Sequence, residues 1–213
     1  MLPILLALAV VFTPENSEVV IAPDAPKMVL FAADEATNFL SRVLGVPVPI
    51  VTSPSAGRAS LVLGDNVYSR KAGIDVAKLP RDGFVLRTHG GRVYAAGRDD
   101  KSADPRRSIA NGSLGGGVHF ERSTLFAIYE FLERFASCRF FFPGDCGEVT
   151  PRQDSFTVSD INLTRSPYFA HEETSPRPWR QQVHLVRLNL QRLRLLPQPN
   201  RQAREVRGGI IFV

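Results

Sequence analysis

The residues that could do chemistry are few and scattered along this chain. Gly112 and Gly115 to Gly117 form a glycine-rich loop ahead of an apolar, helix-like segment, and helix N-termini bind anions. The loop lacks the G-x-x-x-x-G-K-[ST] pattern, and it starts many residues past the strand-like segment around Val93. The context for a phosphate cradle or a dinucleotide fingerprint is therefore missing, and the loop reads as a connector. His119 and Glu121, with His171, Glu172 and Glu173 further on, have no H-E-x-x-H or comparable spacing, so they read as solvated or capping positions rather than metal ligands. Asp82, Asp145 and Glu148 sit in or beside turns. A glycosidase needs two carboxyl groups held roughly 5 to 10 Å apart across a sugar, and nothing in the spacing pairs these three. A serine nucleophile in G-x-S-x-G is absent. Cys138 and Cys146 flank a Phe-Phe-Phe-Pro-Gly-Asp turn; they come within disulfide reach if strand and turn double back, and are otherwise two buried thiols. No catalytic, cofactor-binding or metal-binding residue is assigned on this basis, and no cofactor is expected.

The elements that would position such groups are clearer. Leu125, Ile128, Tyr129, Leu132 and Phe135 recur at helical spacing, which predicts a helix over Ser123–Ala136. Phe126 and Phe131 widen the stripe, so the helix should be buried on more than one side, with Glu130 and Arg134 paired on its polar face. Arg139 to Phe142 reads as a strand beside or beneath it, ended by Pro143-Gly144. A second helix is expected over Asp34–Leu44, with Asp34 and Glu35 meeting the dipole in its first turn, Gly45 just past its end and Pro47 preventing continuation. Strands are expected at Ser17–Ala22, at Val46–Val51 on a sheet edge because of its prolines, and at Ala59–Leu63 in the sheet interior. Gly83–Thr88 and Arg92–Gly97 form a hairpin around His89-Gly90-Gly91. Lys78 to Arg81 is a loop, and Arg98 to Gly117 a long polar one. Gly147–Thr150 and Ser155–Val158 are short strand candidates. The fold class is α+β: a mixed sheet of about five to seven strands with two main helices packed on it.

Composition narrows the classes of function. The chain has 213 residues, enough for one domain, and a net charge of +5. Residues 176–213 hold eight arginines, no lysine and a single acid, whereas the remainder has 18 basic and 20 acidic residues. The folded part is close to neutral, which excludes a nucleic-acid face. Residues 1–12, MLPILLALAVVF, have the length of a signal-peptide core without its basic n-region and are too short to span a membrane. Residues 1–14 read as an apolar leader, placing the protein outside the cytoplasm (secreted or periplasmic); the alternative is a buried N-terminal strand. Two cysteines decide little about compartment.

The stretch STLFAIYEFLERFASCRFFFPGDCGEVTP resembles the GTLYGVYDFLE…GCRWYFPGE.GE..P pattern in the N-terminal domain of family 67 α-glucuronidases and related secreted bacterial proteins. Upstream, DEATNFLSRVLGVPVPIV, the short LVLG strand and DGFVLRTHGGRVYAAGR follow the same order. The resemblance covers roughly residues 17 to 170 and rests on several blocks, none diagnostic alone. It implies a domain like that preceding the barrel in α-glucuronidases and β-hexosaminidases, occupying 15–170 here. It implies too that the catalytic carboxylates belong to a following barrel, absent from these residues, and that Glu148 makes a structural hydrogen bond to backbone. The function so implied is a non-catalytic N-terminal domain of a xylan- or uronic-acid-glycan-degrading hydrolase, meeting carbohydrate only through that barrel; the alternative is a stand-alone carbohydrate- or protein-binding module. An exposed aromatic cluster would favour the latter, but most aromatics hold core positions. Residues 159–175 resemble the passage into the barrel, and 171–213 form a basic tail outside the family pattern. The tail reads either as an amphipathic helix around Val183 to Leu196 or as a departure from the ancestral reading frame. Taken as a whole, the tail has charge of one sign and no sustained apolar face, so it should be disordered or loosely docked.

Overall fold

The computed structural model describes residues 9–110, 120–141 and 147–166. Among them the chain runs β1 (Val10–Phe12), β2 (Ser17–Val20), α1 (Lys27–Leu44), β3 (Ile50–Val51), β4 (Ala59–Leu63), α2 (Val67–Lys71), a 3-10 turn (Val76–Lys78), β5 (Phe84–His89) and β6 (Arg92–Gly97). Then follow α3 (Pro105–Ala110), α4 (Ser123–Arg134), β7 (Arg139–Phe140), β8 (Glu148–Val149), β9 (Phe156–Val158) and β10 (Asn162–Arg165). Six strands form one mixed sheet in the order β10-β5-β6-β4-β2-β3. β3, β2, β4 and β6 are mutually parallel, and β5 and β10 are antiparallel additions. Two short ribbons, β1 with β9 and β7 with β8, flank this sheet. The class is α+β, as the sequence patterning requires.

Strand alternation sorts the sheet into two faces. Val19, Leu61, Leu63, Leu86, Val93 and Ala95 join the larger core beneath α1 and α4, whereas Val20, Val62, Val85, Tyr94 and Ala96 face a smaller cluster closed by Ala72, Ile74 and Leu79. α4 is buried on more than one side: Leu125, Ile128, Tyr129 and Leu132 are buried, as are Phe126 and Phe131 on its flanks. Phe135 at its end is half-buried. Glu130 accepts from Arg134 at 2.7 Å, the acid-first pair expected of the polar face. β4 is interior and buried throughout, and β3 lies at the edge. The β5–β6 hairpin turns through Gly90 (φ 55) and Gly91 (φ 73), the two positive dihedrals of a tight right-twisting hairpin.

Four expectations need correction. First, α1 begins at Lys27, not Asp34. Pro26 precedes it without a side-chain cap, and the Pro26 carbonyl accepts from Val29 and Leu30, so no Ser, Thr, Asp or Asn marks the start. Asp34 and Glu35 therefore lie well inside the helix: Asp34 pairs with Arg106, and buried Glu35 accepts from the Tyr129 hydroxyl at 3.2 Å. Second, the polar loop from Arg98 contains α3, held on α1 by Lys27–Asp104 at 2.7 Å and by the Asp34–Arg106 pair. Third, of the strand expected at Arg139–Phe142, only Arg139 and Phe140 are strand among the described residues, and they lie outside the main sheet. Phe140 is inserted edge-on between Phe39 and Tyr129, with centroids at 5.0 and 5.4 Å, while Phe141 is 64% exposed. Fourth, part of the segment expected to lead into a barrel forms β10, the edge strand beside β5, with Leu163 opposite Leu86.

Val10–Phe12, which the sequence leaves between leader and strand, make β1 against β9; Phe12 is fully buried and stacks on Phe156 at 5.0 Å. Residues 1–8, the Pro143-Gly144 turn and the basic tail lie outside the described residues.

Candidate functional site

Two polar regions have enough structure to be considered as sites. The first is a neck where the chain leaves β6 and later returns to start α4. Asp99 bridges Arg122 in antiparallel fashion, the Asp100 N–H donates to the Glu121 carbonyl at 3.0 Å, and the Ser123 N–H donates to the Arg98 carbonyl at 3.3 Å. α4 has no local side-chain cap, since Arg122 occupies its N-cap position. Asp99 supplies one from a distance: its carboxyl accepts from the Thr124 N–H at 3.0 Å and makes a short bond to the Thr124 hydroxyl. This satisfies a helix-terminal donor that the local sequence leaves open.

The neck is electrostatically uncomfortable. Burial pushes the Asp99 carboxyl from its ordinary 3.8 up to about 7, the Thr124 bonds oppose the rise, and the nearby Glu121 and Asp82 carboxylates add to it. Glu121 is held by Arg98 at 3.2 Å. Asp82, at φ 55, has one carboxyl oxygen buried without a hydrogen bond among the described residues. Arg122 lies over the rings of Phe120 and Phe126, at 5.6 and 5.5 Å. Gly97 is required here, because a Cβ would run into Ser123 and the Gly83 carbonyl. A carboxyl that keeps its proton near neutrality has the acidity of a general acid. Asp99, however, is turned onto the backbone of α4, where it caps the helix.

The second region is an open groove of about 640 Å³ along the outer face of α1. Asn38, Ser41 and Arg42 line it from the helix, Gly45 to Val48 close its end, and Arg152 forms the opposite wall. Gly45 leaves α1 at φ 73, the left-handed conformation that favours glycine, and the Arg152 guanidinium lies close over it. The Val48 N–H donates to Ser41 Oγ at 2.9 Å, folding the exit loop back along the helix. Gln153 pins the far wall: its N–H donates to the Val43 carbonyl at 2.8 Å and its carboxamide to the Ala136 carbonyl at 2.9 Å.

Of the residues singled out from sequence, the structure brings Asp82 and Glu121 to the same neck but places Glu148 elsewhere. The Glu148 side chain, 1% exposed, accepts from Arg42 at 2.9 Å, so its structural role includes an ion pair to α1. Cys138 is buried; its thiol donates to the Ala136 carbonyl, and burial pushes it up to about 12, which makes it unreactive as a nucleophile. Gly112, Gly115 to Gly117, His119, Asp145, Cys146, His171, Glu172 and Glu173 lie outside the described residues, and with Cys146 the question of a disulfide. No cluster of His, Cys, Asp or Glu with metal-binding geometry occurs among the described residues. No described helix is long and apolar enough to cross a membrane.

Sequence reasoning missed Asp99 and Glu18. The Asp99-Asp100 pair directly after an apolar strand was a usable signal for the first. Glu18 lies within β2, fully buried; burial opposes its charge, but bonds from the Ser55 N–H at 2.8 Å and the Ser60 hydroxyl at 2.7 Å prevail and hold its carboxyl below the ordinary range. Its second oxygen has no hydrogen bond among the described residues.

No family model and no curated protein matches the chain. Among solved structures it is similar to a family GH115 4-O-methyl-α-glucuronidase with specificity for decorated arabinogalactans. That likeness has 17% identity and a TM-score of 0.46, over 74% of this chain and 18% of that one. It is also similar to a GH20 exo-β-N-acetylglucosaminidase from Vibrio harveyi, at 9% identity and a TM-score of 0.37, over 76% of this chain and 17% of that one. The chain thus spans less than a fifth of either protein. Both neighbours are glycoside hydrolases, and at these identities the likeness concerns the fold.

Proposed function

We propose that this chain is a non-catalytic N-terminal domain of a secreted carbohydrate-degrading hydrolase of the α-glucuronidase type, with catalysis carried by a separate barrel. The sequence resemblance over residues 17 to 170 supports the family. One observation on the molecule supports the non-catalytic role: four of its inward-facing acids are engaged in holding elements together. Asp99 caps α4, Glu18 binds the Ser55 turn and Ser60, Glu35 meets Tyr129, and Glu148 meets Arg42. Hydrolysis needs two carboxyl groups flanking a space that admits a sugar ring. The open groove has Asp34 at its margin, tied to Arg106, and shares no residue with the neck.

The test is an assay of the purified chain on aldouronic oligosaccharides and aryl glycosides. No turnover is expected. Turnover abolished by Asp99→Asn, Glu121→Gln or Glu148→Gln would make the domain an enzyme and overturn this reading. The rival reading, a stand-alone binding module, is favoured by one feature only, the outward-facing groove.

A further inference from the structure

We infer that the groove between α1 and Arg152 is a binding site for a carboxylate-bearing ligand. Charge around the groove is unevenly matched. At the groove's margins Asp34 is matched by Arg106, and Arg42 by buried Glu148. Arg152 is exposed and has neither an ion pair nor a hydrogen bond among the described residues. Gln153, the next residue, is fixed to both α1 and the end of α4, and the guanidinium is pressed over the Cα of Gly45. A guanidinium with no protein partner keeps its donors available to a ligand, and its planar fork matches a carboxylate bidentately.

The rest of the lining fits the same chemistry. The Asn38 side chain, on the facing side of α1, makes no hydrogen bond among the described residues and can donate to an oxyanion. Ser41 is occupied in accepting from Val48, which keeps the wall rigid. Arg42, already paired, contributes its positive field without needing to move. The groove is open and lined by both polar and apolar groups, so the expected ligand is small and partly hydrated, carrying one carboxylate toward Arg152. The inference stands apart from the auxiliary-domain reading, because it holds or fails whether or not a sugar bears the carboxylate.

The test is a titration of the full-length chain followed by nuclear magnetic resonance of the arginine Nε–Hε and asparagine side-chain signals. The probes are sodium acetate, galacturonate, galactose and inorganic phosphate at constant ionic strength. Acetate and galacturonate should both shift the Arg152 and Asn38 signals, with galactose silent. Tighter binding of galacturonate identifies a sugar acid as the source, and equal binding identifies the bare carboxylate. Arg152→Gln should weaken acetate binding at least about tenfold, the loss expected for a charge-assisted hydrogen bond. Should that variant fail to fold, the parent's Arg152 signal and an Asn38→Ala variant carry the test. Equal shifts from galactose and galacturonate, tighter binding of phosphate than of either carboxylate, shifts confined to other residues, or undiminished binding by Arg152→Gln would each overturn the proposal. An unresponsive groove in a chain that also lacks hydrolytic activity removes this inference and leaves the auxiliary-domain reading intact.

Discussion

The neck at Asp99 and the groove at Arg152 use charge in opposite ways. In the neck an acid is turned inward onto α4, where burial and two neighbouring acids make its ionisation costly. In the groove a base is turned outward over the end of α1, and the one acid of the lining, Asp34, is tied to Arg106 instead. Both groups sit at helix termini, Asp99 at the start of α4 and Arg152 beside the end of α1. What differs is solvent. The inward acid strengthens the fold only while it is neutral, whereas the outward base can keep its charge and remain available. Perturbed acidity alone therefore does not locate a binding site: the strongly shifted carboxyl is the structural one.

The contrast can be broken most severely at the layer on which both regions depend. Leu132→Ala, at the fully buried centre of α4, should cost about 2–5 kcal/mol through lost burial and a cavity. A denaturant midpoint equal to the parent's would show that α4 is not the element supporting the neck.

Asp99→Asn sharpens the comparison on its inward side. The folded Asp99 releases its proton near 7 and the unfolded chain near 3.8. Its stabilising contribution is thus complete below about pH 3.8 and is lost as pH rises to 7, the opposite of the usual carboxylate. Acids such as Glu18, held below the ordinary range, contribute in the reverse direction, and their stability is lost as pH falls. Asparagine keeps the capping acceptor without the charge, so the variant should be more stable than the parent at pH 8 by roughly 1–3 kcal/mol. Urea midpoints measured at pH 5 and pH 8 give the sign directly.

Gly45→Ala tests the outward side. A left-handed residue loses its glycine and Arg152 is displaced, so stability should fall by about 1–2 kcal/mol. The α4 exit makes the reverse case: Ser137 adopts φ 56 without being glycine, and Ser137→Gly should raise stability by up to about 1 kcal/mol. The smallest effect belongs to Arg152→Gln, expected to change the midpoint by less than about 0.5 kcal/mol, as befits an exposed side chain without a partner among the described residues. A large loss there would mean that Arg152 is a structural cap for α1.

Sequence patterning made α4 and the β5–β6 hairpin readable for physical reasons. A helical stripe interrupted by one ion pair, and a two-glycine turn between alternating strands, each admit a single local solution. The first half of α1 was not readable, because Met28 to Ala33 are continuously apolar and so carry no helical period, and Pro26 offers no side-chain cap. β10 was hidden because an edge strand of Asn, Leu, Thr and Arg has only one side chain facing the core. Asp99 was hidden for another reason: it caps a helix 25 residues away in sequence, and no local spacing rule reaches that far. The groove likewise joins α1 to Arg152 across most of the chain.

The most direct test of the account is a titration of the side-chain carboxyl signals by carbon-detected nuclear magnetic resonance, in the parent and in Asp99→Asn. The account predicts that Asp99 titrates near 7 and that stability falls across the same interval in the parent alone. An Asp99 carboxyl titrating near its ordinary 3.8, with unchanged pH dependence in the variant, would contradict the claim that this acid serves the fold from a buried position.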